Sequence, residues 1–281
     1  MLIFLCLLTG GALSAVVCLL TDAFAGTQWL YLLPACFAGG FLLGALLLAV
    51  FLCIICGVVD MKVLPEEDSK FYRRAAHVYI KALKTILRLK VKTTGMEKVP
   101  AEGRFLLVCN HMSDLDPVVL FHCFEKSQLA FVSKRENDEK IFVGPFMRKL
   151  LCQPINREND REALKTILRC IQLVKEDKVS MAVFPEGYTS LDCKLRHFRN
   201  GVFKIAQKAG VPVVVCTVHD TRKAMKSMLK LKGGSVEVHT LEVISAEEVK
   251  SLSTVELGEK VYQIMAADMG PENVYDYGEN P

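Results

Sequence analysis

A cluster of polar residues follows a short apolar run near the middle of the chain. Residues 105–109 are all apolar, and the next eight, NHMSDLDP, supply His111 and, five positions later, Asp116. If the chain turns tightly between them, the carboxylate accepts a hydrogen bond from one imidazole nitrogen and leaves the other nitrogen as a base. The sequence contains no Gly-x-Ser-x-Gly motif that would supply a serine nucleophile. The pair is therefore a candidate general base with its orienting acid, acting on a hydroxyl group of the substrate.

Two motifs in this region resemble those of a known family. Residues 110–117 are similar to the His-x4-Asp motif of the glycerolipid acyltransferase family, whose best-known members acylate lysophosphatidic acid. Residues 184–187, FPEG, resemble the family's second motif, in the expected order. The resemblance covers roughly residues 85–245, about the length of one domain. It implies transfer of an acyl group from acyl carrier protein or coenzyme A to the free hydroxyl of lysophosphatidic acid, with His111 and Asp116 as catalytic residues.

The resemblance also implies a set of substrate-binding residues. They are Asn110, Ser113, Arg157, Glu186, Gly187, Lys194 and Arg199. Arg157 matches a family arginine thought to hold the acceptor's phosphate, and a planar guanidinium suits bidentate contact with that group. Gly187 lets the backbone approach a ligand closely, and Glu186 can bind hydroxyl groups or position basic ones. Backbone N–H groups near His111 or Gly187 are candidates to stabilise an oxyanion.

The second motif departs from the family's pattern at one point. Family members usually continue with Gly-Thr-Arg-Ser, whereas Tyr188 and Thr189 follow the glycine here, so the expected arginine is missing. Lys194, Arg196 and Arg199 lie just downstream, where they either replace that charge or form a solvated loop surface. Because of this departure, a different class of function stays open, that of a non-catalytic lipid-binding membrane protein.

Other interpretations concern the acceptor and a possible metal. The acceptor is either lysophosphatidic acid or another lysophospholipid, and the triplet at 114–116 has the DxD form used by metal-dependent glycosyltransferases. Acyl transfer itself requires no metal and no cofactor, and His122, His197 and His219 have no partners at metal-ligand spacing. The chain has 35 basic and 31 acidic residues, an excess too small to indicate nucleic-acid binding. An anionic membrane surface or a phosphate-bearing substrate fits this charge better.

The first sixty residues contain two long apolar runs. Residues 1–20 and 29–59 are almost continuously apolar, with the polar break TDAFAGTQ between them. Each run approaches or exceeds the roughly 20 residues that cross a bilayer as a helix. A signal peptide is not favoured, because the first run lacks a basic leading region. We therefore expect a hydrophobic helical hairpin, with Gly39, Gly40 and Gly44 in a tilted or bent second helix.

The basic residues predict how this hairpin is oriented. No Lys or Arg precedes Lys62, and Asp22 is the only charged residue before Asp60. The positive-inside rule then places both termini and the catalytic part on the cytoplasmic face of a membrane. A re-entrant hairpin that enters only one leaflet has the same sidedness and remains an alternative.

A linker and an amphipathic helix are expected over residues 61–92. The predicted polar face carries Lys70, Arg74, His77, Lys81, Lys84 and Arg88, and the predicted apolar face carries Tyr72, Ala76, Tyr79, Leu83 and Ile86. A basic face opposite aromatic and apolar residues suits the bilayer interface. The alternative is an ordinary helix packed on the domain with its basic face in solvent.

Short apolar runs then alternate with helical patterns. We predict strands at 89–92, 105–109, 129–132, 181–184, 211–216 and part of 236–244, and helices at 117–124, 142–151, 160–175, 202–209 and 246–269. This alternation predicts an α/β acyltransferase domain over 93–281, with a mostly parallel sheet flanked by helices. His111 and Glu186 each follow a strand, at the sheet edge where functional loops gather. The run at 211–215 is expected to be a core strand that at most lines an acyl pocket.

Overall fold

The computed structural model describes residues 2–230 and 232–275. The chain forms two compact units, residues 1–62 and 63–281. The smaller unit contains two helices, α1 (Leu2–Leu20) and α2 (Trp29–Gly57). By length and composition both are apolar enough to cross a membrane. The predicted hydrophobic helical hairpin is confirmed as a pair of apolar helices.

Small residues let these two helices pack closely. A methyl group on Gly10 of α1 would lie 2.8 Å from the carbonyl oxygen of Phe37, and one on Gly40 of α2 would lie 2.7 Å from that of Thr9. The Thr9 hydroxyl donates a hydrogen bond to the Gly40 carbonyl at 2.9 Å. Gly40 and Gly44, which we expected to allow bending, are buried against α1. Their small size therefore serves the contact between the helices.

The larger unit combines strands and helices in alternation. Its strands are β1 (Leu89–Thr94), β2 (Leu106–Cys109), β3 (Leu129–Lys134), β4 (Gln153–Ile155), β5 (Ser180–Val183), β6 (Val213–His219) and β7 (Gly234–Ile244). Its helices are α3 (Lys70–Ile86), α4 (Asp116–Cys123), α5 (Val143–Lys149), α6 (Asp160–Lys175), α7 (Lys204–Ala209), α8 (Thr221–Leu229), α9 (Ala246–Ser251) and α10 (Thr254–Met269). The predicted α/β class is confirmed.

The seven strands form one sheet in the order β1-β7-β6-β2-β5-β3-β4. Neighbouring strands are parallel except β6 and β7, which are antiparallel. At the centre, Leu106 of β2 is opposite Val213 of β6 on one side and Met181 of β5 on the other. Because these three strands are parallel, their carboxyl ends lie at the same edge of the sheet. The loops that carry His111 and Glu186 therefore meet there.

The central strands are buried on both faces. Every residue of β2 is at most 1% exposed, and Val213, Val214 and Val215 of β6 are fully buried. Helices on both faces of a parallel sheet require such continuous apolar runs rather than alternation. Residues 213–215 of the run predicted at 211–215 therefore belong to a core strand, which begins at Val213 and continues to His219.

Three features of the sheet and its helices differ from the predictions. The short strand β4 and the helix α8 were not expected, and the single helix predicted at 246–269 is two helices, α9 and α10. The break lies at Ser253, whose side chain caps α10 in a capping box with Glu256. The serine hydroxyl and the glutamate carboxylate satisfy backbone N–H groups at the helix start, so a new helix begins there.

Within the larger unit, the buried face of helix α3 includes part of the side that was predicted to be polar. Tyr72, Ala76 and His77 are buried. Leu83 and Ile86, from the predicted apolar side, are 48% and 62% exposed. Burial lowers the pKa of His77 to about 4, so this histidine is neutral at physiological pH. The structure thus shows the packed-helix arrangement, and an interfacial function for residues 61–92 stays a prediction.

A buried ion pair connects α3 to the sheet. The Arg73 guanidinium binds both carboxylate oxygens of Asp68, at 2.7 and 2.8 Å, and donates to the Leu129 carbonyl of β3 at 3.0 Å. The two charged side chains are only 8% and 7% exposed. Helix α3 consequently belongs to the same compact unit as the strands.

Candidate active site

The imidazole of His111 and the carboxylate of Asp116 are hydrogen bonded. His111 Nδ1 lies 2.8 Å from Asp116 Oδ2, and the two side chains are 12% and 0% exposed. An ionised carboxylate can only accept hydrogen bonds, so Nδ1 carries the proton and Nε2 keeps its lone pair. The two residues chosen from their spacing are therefore together, and the hydrogen bond fixes the ring orientation of the candidate base.

Asp116 also organises the turn that carries His111. Its Oδ2 accepts hydrogen bonds from the backbone N–H groups of Met112 at 2.6 Å and Ser113 at 2.8 Å. Pro117 lies in the first turn of α4, as the sequence indicates. Leu115 occupies the N-cap position of this helix and makes no side-chain hydrogen bond to it. The Asp116 carboxylate holds the turn instead.

Phe184, which directly follows β5, packs against the imidazole. The ring centroids of Phe184 and His111 are 4.2 Å apart and the ring planes differ by 20°. Strand β5 pairs with β2, with Val183 opposite Val108, so Phe184 lies beside the end of β2 and close to the turn that carries His111. Phe184 belongs to the FPEG motif, but no function of its own was predicted for it. The sequence alone does not show that β5 pairs with β2. With that pairing known, an aromatic residue directly after β5 would have been predicted to lie near His111.

Glu186 is buried, and its carboxylate is bonded within the protein. Oε1 accepts from the backbone N–H of His111 at 2.9 Å, and Oε2 accepts from the Ser190 hydroxyl at 2.7 Å and the Arg196 N–H at 3.2 Å. Burial raises the pKa of Glu186 to about 7, against the opposing effect of these donors. The expected contact with substrate is therefore corrected: Glu186 joins the His111 turn to the loop after β5.

Asn110 and Ser113 are likewise engaged inside the fold. The Asn110 amide donates to the Val218 carbonyl at 3.0 Å and accepts from the Val218 N–H at 2.8 Å. The Ser113 hydroxyl accepts from the Leu115 N–H at 3.2 Å and lies 3.3 Å from an oxygen of Asp116. Both residues are at most 3% exposed. The expected substrate contacts are corrected for these two, since Asn110 fixes β2 to β6 and Ser113 supports the turn.

A cavity of about 350 Å³ lies on the other side of Phe184. Most of its lining is apolar and comes from Val132, Ile155, Ala163, Leu164, Ile167, Val183, Phe184 and Val202. Arg157, Arg199 and Lys204 add basic groups, and Asp160 adds an acid. Its volume falls within the range of ligand pockets, about 300–1,000 Å³. Arg157 and Arg199 were predicted from the sequence, whereas Lys204, the first residue of α7, belongs to no motif.

Gly187 lies between the two arginines of the cavity. Its φ of +81° is in the left-handed region, which glycine adopts readily. Arg157 donates a hydrogen bond to the Gly187 carbonyl, and a methyl group on Gly187 would lie 2.9 Å from Cδ of Arg199. Burial and, to a lesser extent, the proximity of Arg199 lower the pKa of Arg157. Two guanidinium groups facing one cavity favour an anion there.

The other two basic residues of the loop are placed differently. The Arg196 guanidinium donates to Asp192 at 2.6 Å and lies 3.8 Å from the ring centroid of Tyr275. Lys194 lies outside the described lining of the cavity. Of the three residues expected to replace the missing arginine, Arg199 is the one that lines the cavity.

The contacts of Asp116 contradict a metal site at the triplet 114–116. Asp116 is fully buried, and its Oδ2 already has three donors. Binding a cation would require breaking the turn, and Asp114 alone, which is exposed, does not provide a pair of carboxylates.

The backbone N–H groups of His111 and Gly187, which were candidates to stabilise an oxyanion, both donate hydrogen bonds within the protein. The His111 N–H donates to Glu186 at 2.9 Å, and the Gly187 N–H donates to the Phe184 carbonyl at 3.1 Å. These two N–H groups are bonded within the protein, and stabilisation of an oxyanion by other backbone N–H groups nearby stays a prediction. These hydrogen bonds shape the two loops.

His122 and His219, which have no partners at metal-ligand spacing in the sequence, both have close neighbours in the fold. His122 Nε2 lies 2.9 Å from Lys84 Nζ. His219 Nε2 lies 2.8 Å from Asp268, a residue 49 positions later, and its ring is 4.7 Å from that of His239. Linear spacing does not show contacts between residues so far apart in the chain.

Several comparisons place this arrangement among known proteins. Residues 90–219 match the family model described as Acyltransferase. A 1-acyl-sn-glycerol-3-phosphate acyltransferase of Chlamydomonas reinhardtii is 32% identical over 210 residues, which are 72% of this chain and 61% of the relative. A probable enzyme of the same name from Mycoplasma pneumoniae is 31% identical over 174 residues, 60% of this chain and 62% of the relative. The chain thus spans about three fifths of the length of these relatives.

One solved structure shares the fold. It is the crystal structure of the 1-acyl-sn-glycerophosphate (LPA) acyltransferase PlsC from Thermotoga maritima, with a TM-score of 0.61 and 23% identity, covering 79% of this chain and 87% of that one. A yeast relative, the 1-acyl-sn-glycerol-3-phosphate acyltransferase of Saccharomyces cerevisiae, is 29% identical over 66% of this chain and 62% of its own. Residues 90–219, which include His111, Asp116 and Glu186, are therefore similar to the acyltransferase family in sequence, and the fold is that of the PlsC structure.

Proposed function

We propose that the protein transfers a fatty acyl group from an acyl thioester to the free hydroxyl of lysophosphatidic acid, giving phosphatidic acid for phospholipid synthesis. The observation that carries this proposal is the 2.8 Å hydrogen bond between His111 Nδ1 and Asp116 Oδ2, which leaves Nε2 as a base. The names of the relatives support the substrate, since those proteins are 1-acyl-sn-glycerol-3-phosphate acyltransferases. The activity is thus that of an O-acyltransferase.

In the proposed reaction, His111 Nε2 removes the proton of the acceptor hydroxyl while its oxygen attacks the thioester carbonyl carbon. The carboxylate of Asp116 stabilises the imidazolium that forms. When the tetrahedral intermediate collapses, the carbon–sulfur bond breaks and His111 returns the proton to the leaving sulfur. The products are the new ester and a free thiol, and His111 is again neutral. Acyl carrier protein and coenzyme A present the same thioester, so both are candidate donors.

The cavity beside Phe184 is our candidate binding site for the acceptor. We assign binding of the acceptor's phosphate to the guanidinium groups of Arg157 and Arg199, with Lys204 as a third basic group in the cavity. The apolar lining suits a hydrocarbon chain. Phe184 contacts His111 and also lines the cavity, so an acceptor bound there has its headgroup near the base.

We also propose that α1 and α2 anchor the enzyme in a membrane, with the catalytic unit on its cytoplasmic face. The length and apolar composition of both helices support the anchor, and the lack of Lys and Arg before Lys62 supports the orientation. An epitope inserted after Gly26 tests this. A spanning hairpin exposes the epitope only on the face opposite the catalytic unit, whereas a re-entrant hairpin leaves it on neither face, and exposure on the catalytic side contradicts the proposal.

Product analysis of the purified full-length protein tests the activity. Lysophosphatidic acid is supplied with acyl coenzyme A or acyl-acyl carrier protein, with and without a chelator, and phosphatidic acid is measured by mass spectrometry. We expect phosphatidic acid with at least one donor, in the chelator as well. Faster acylation of lysophosphatidylcholine or lysophosphatidylethanolamine would contradict the acceptor but not acyl transfer.

Two other outcomes would contradict acyl transfer itself. Tight binding of lysolipid with no ester formed from any acceptor would favour the non-catalytic lipid-binding function. Transfer from a nucleotide sugar that requires Mn²⁺ or Mg²⁺ would favour a glycosyltransferase, despite the occupied carboxylate of Asp116.

A further inference from the structure

Two histidines and an aspartate converge on one face of the sheet, outside the cavity and the His111 turn. His219 ends β6, His239 lies in the neighbouring strand β7, and Asp268 comes from α10. His219 Nε2 is 2.8 Å from Asp268 Oδ2, and His239 Nδ1 is 3.0 Å from Asp268 Oδ1. One candidate ligand atom from each residue lies within 4.8 Å of the other two. Three elements therefore bring two imidazoles and a carboxylate to one point.

The donor set and its spacing fit a transition-metal ion. Imidazole nitrogens bind Zn²⁺ at about 2.0–2.1 Å and carboxylate oxygens at about 2.0–2.2 Å, so neighbouring ligands of a tetrahedral ion are separated by roughly 3.3 Å. The observed nitrogen–oxygen distances of 2.8 and 3.0 Å need only small side-chain shifts to reach that value. The three side chains are 22–25% exposed. An ion at this point has a path to solvent and room for a water ligand.

The groups around the cluster are those that commonly support metal ligands. The Thr217 hydroxyl donates to Asp268 Oδ2 at 2.5 Å, which fixes the carboxylate. On the far side of the second imidazole, Glu237 lies 3.7 Å from His239 Nε2, and Glu237 is itself paired with Lys92. A histidine that binds metal through one nitrogen usually directs the other to a carboxylate or carbonyl.

We propose that His219, His239 and Asp268 form a site for a divalent transition metal, with Zn²⁺ as the best-fitting ion. The ion joins α10 to the strands β6 and β7, in place of the hydrogen bonds that join the same residues without it. The site is structural and separate from acyl transfer, so its failure would leave the proposed function untouched.

The experiment uses the full-length protein in detergent, with any affinity tag removed and prior chelator treatment. Zn²⁺ binding is measured by calorimetry, Co²⁺ binding by its visible absorption, and thermal unfolding with and without Zn²⁺. We expect one ion per chain, a Tm that rises with Zn²⁺, and a Co²⁺ spectrum typical of nitrogen and oxygen ligands. The variants are Asp268→Asn, which keeps the side-chain shape, and His239→Ala, with His197→Ala as the control outside the cluster.

The variants decide whether the binding belongs to this site. We expect His239→Ala and Asp268→Asn to weaken Zn²⁺ binding at least about tenfold and to lose the Tm rise, and His197→Ala to match the wild type. The spectra and Tm of the chelated variants show whether they are folded, so lost binding can be separated from unfolding. Absence of stoichiometric Zn²⁺ and Co²⁺ binding, or equal binding in all variants, would overturn the proposal.

Discussion

The ring of Phe184 stacks on the imidazole of His111, with ring centroids 4.2 Å apart, and the same ring lines the cavity. One aromatic side chain thus separates the candidate base from the candidate acceptor site. Its position follows from the parallel pairing of β2 and β5, since Phe184 directly follows β5 and His111 comes two residues after the end of β2. The alignment of base and acceptor therefore depends on this contact.

Replacing Phe184 tests that dependence. We expect Phe184→Leu to lower kcat/KM about tenfold, because a stacked aromatic contact contributes about 0.5–1.5 kcal/mol and the imidazole loses its support. Phe131→Leu is the matched control, since Phe131 is 6.3 Å from Phe184 and buried. We expect its rate to stay within about a factor of two of the wild type. Equal losses in both variants would show that general loosening, not the contact with His111, is responsible.

Glu186 should make the stability of the protein depend on pH. Burial raises its pKa from 4.5 to about 7, so the folded chain holds a proton that the unfolded chain releases in this range. The contribution of Glu186 to the free energy of unfolding is therefore greatest below about pH 4.5, and it is lost as the pH rises to about 7. The fall is at most about 3 kcal/mol, since one pKa unit corresponds to about 1.4 kcal/mol.

The pH profile of Glu186→Gln isolates this contribution. Thermal unfolding between pH 5 and 8 should give a flatter profile for this variant than for the wild type, while Glu102→Gln, at an exposed position, should leave the slope unchanged. A slope in Glu186→Gln equal to that of the wild type would show that Glu186 is ionised throughout the range.

The two arginines of the cavity should act mainly on acceptor binding. Arg157→Lys and Arg199→Lys should each raise the KM for lysophosphatidic acid about tenfold, because a charge-assisted hydrogen bond contributes about 1.5–3 kcal/mol. The kcat should change little if the contact is made equally in the ground and transition states. Lys194→Met is the control, since this side chain lies outside the described lining. A KM raised by Lys194→Met alone would restore the sequence-based assignment of phosphate to that loop.

The buried pair of Asp68 and Arg73 should matter more for stability than an exposed pair on the same helix. We expect Asp68→Asn to lower the free energy of unfolding by about 3–5 kcal/mol, because it leaves a buried guanidinium without its counter-charge. Lys81→Met removes an exposed ion pair with Glu125 and should cost about 0–1 kcal/mol. Similar, small losses in both variants would indicate that α3 is not packed on the domain and would favour the interfacial helix.

The sequence identified the parts of the site that depend on local spacing. The turn between His111 and Asp116 contains four residues, and the hydrogen bonds that shape it are local. The sequence did not show where the Glu186 and Asn110 side chains point, because Glu186 accepts from the His111 N–H after β2 and Asn110 bonds to Val218 of β6. Strand order decides those contacts. Lys204 was not predicted either, because its place in the cavity depends on how α7 packs and not on any local motif.

The fold could be predicted wherever an element was long or strongly patterned. Helix α6 was predicted to its ends, whereas β4 has three residues, one of them Pro154, and carries too little pattern. The break between α9 and α10 was missed although the sequence marks it. Ser253 and Glu256 have the spacing of a capping box, and this local signal outweighs the apolar pattern that runs on both sides of it.

The most direct test of the account is the rate of phosphatidic acid formation by His111→Ala, with the variant's folding checked by thermal unfolding. We predict a loss of about 10²–10⁴-fold against the wild type, the usual contribution of a general base, with His122→Ala as a histidine control that stays active. A folded His111→Ala protein that forms phosphatidic acid at the wild-type rate would contradict the account.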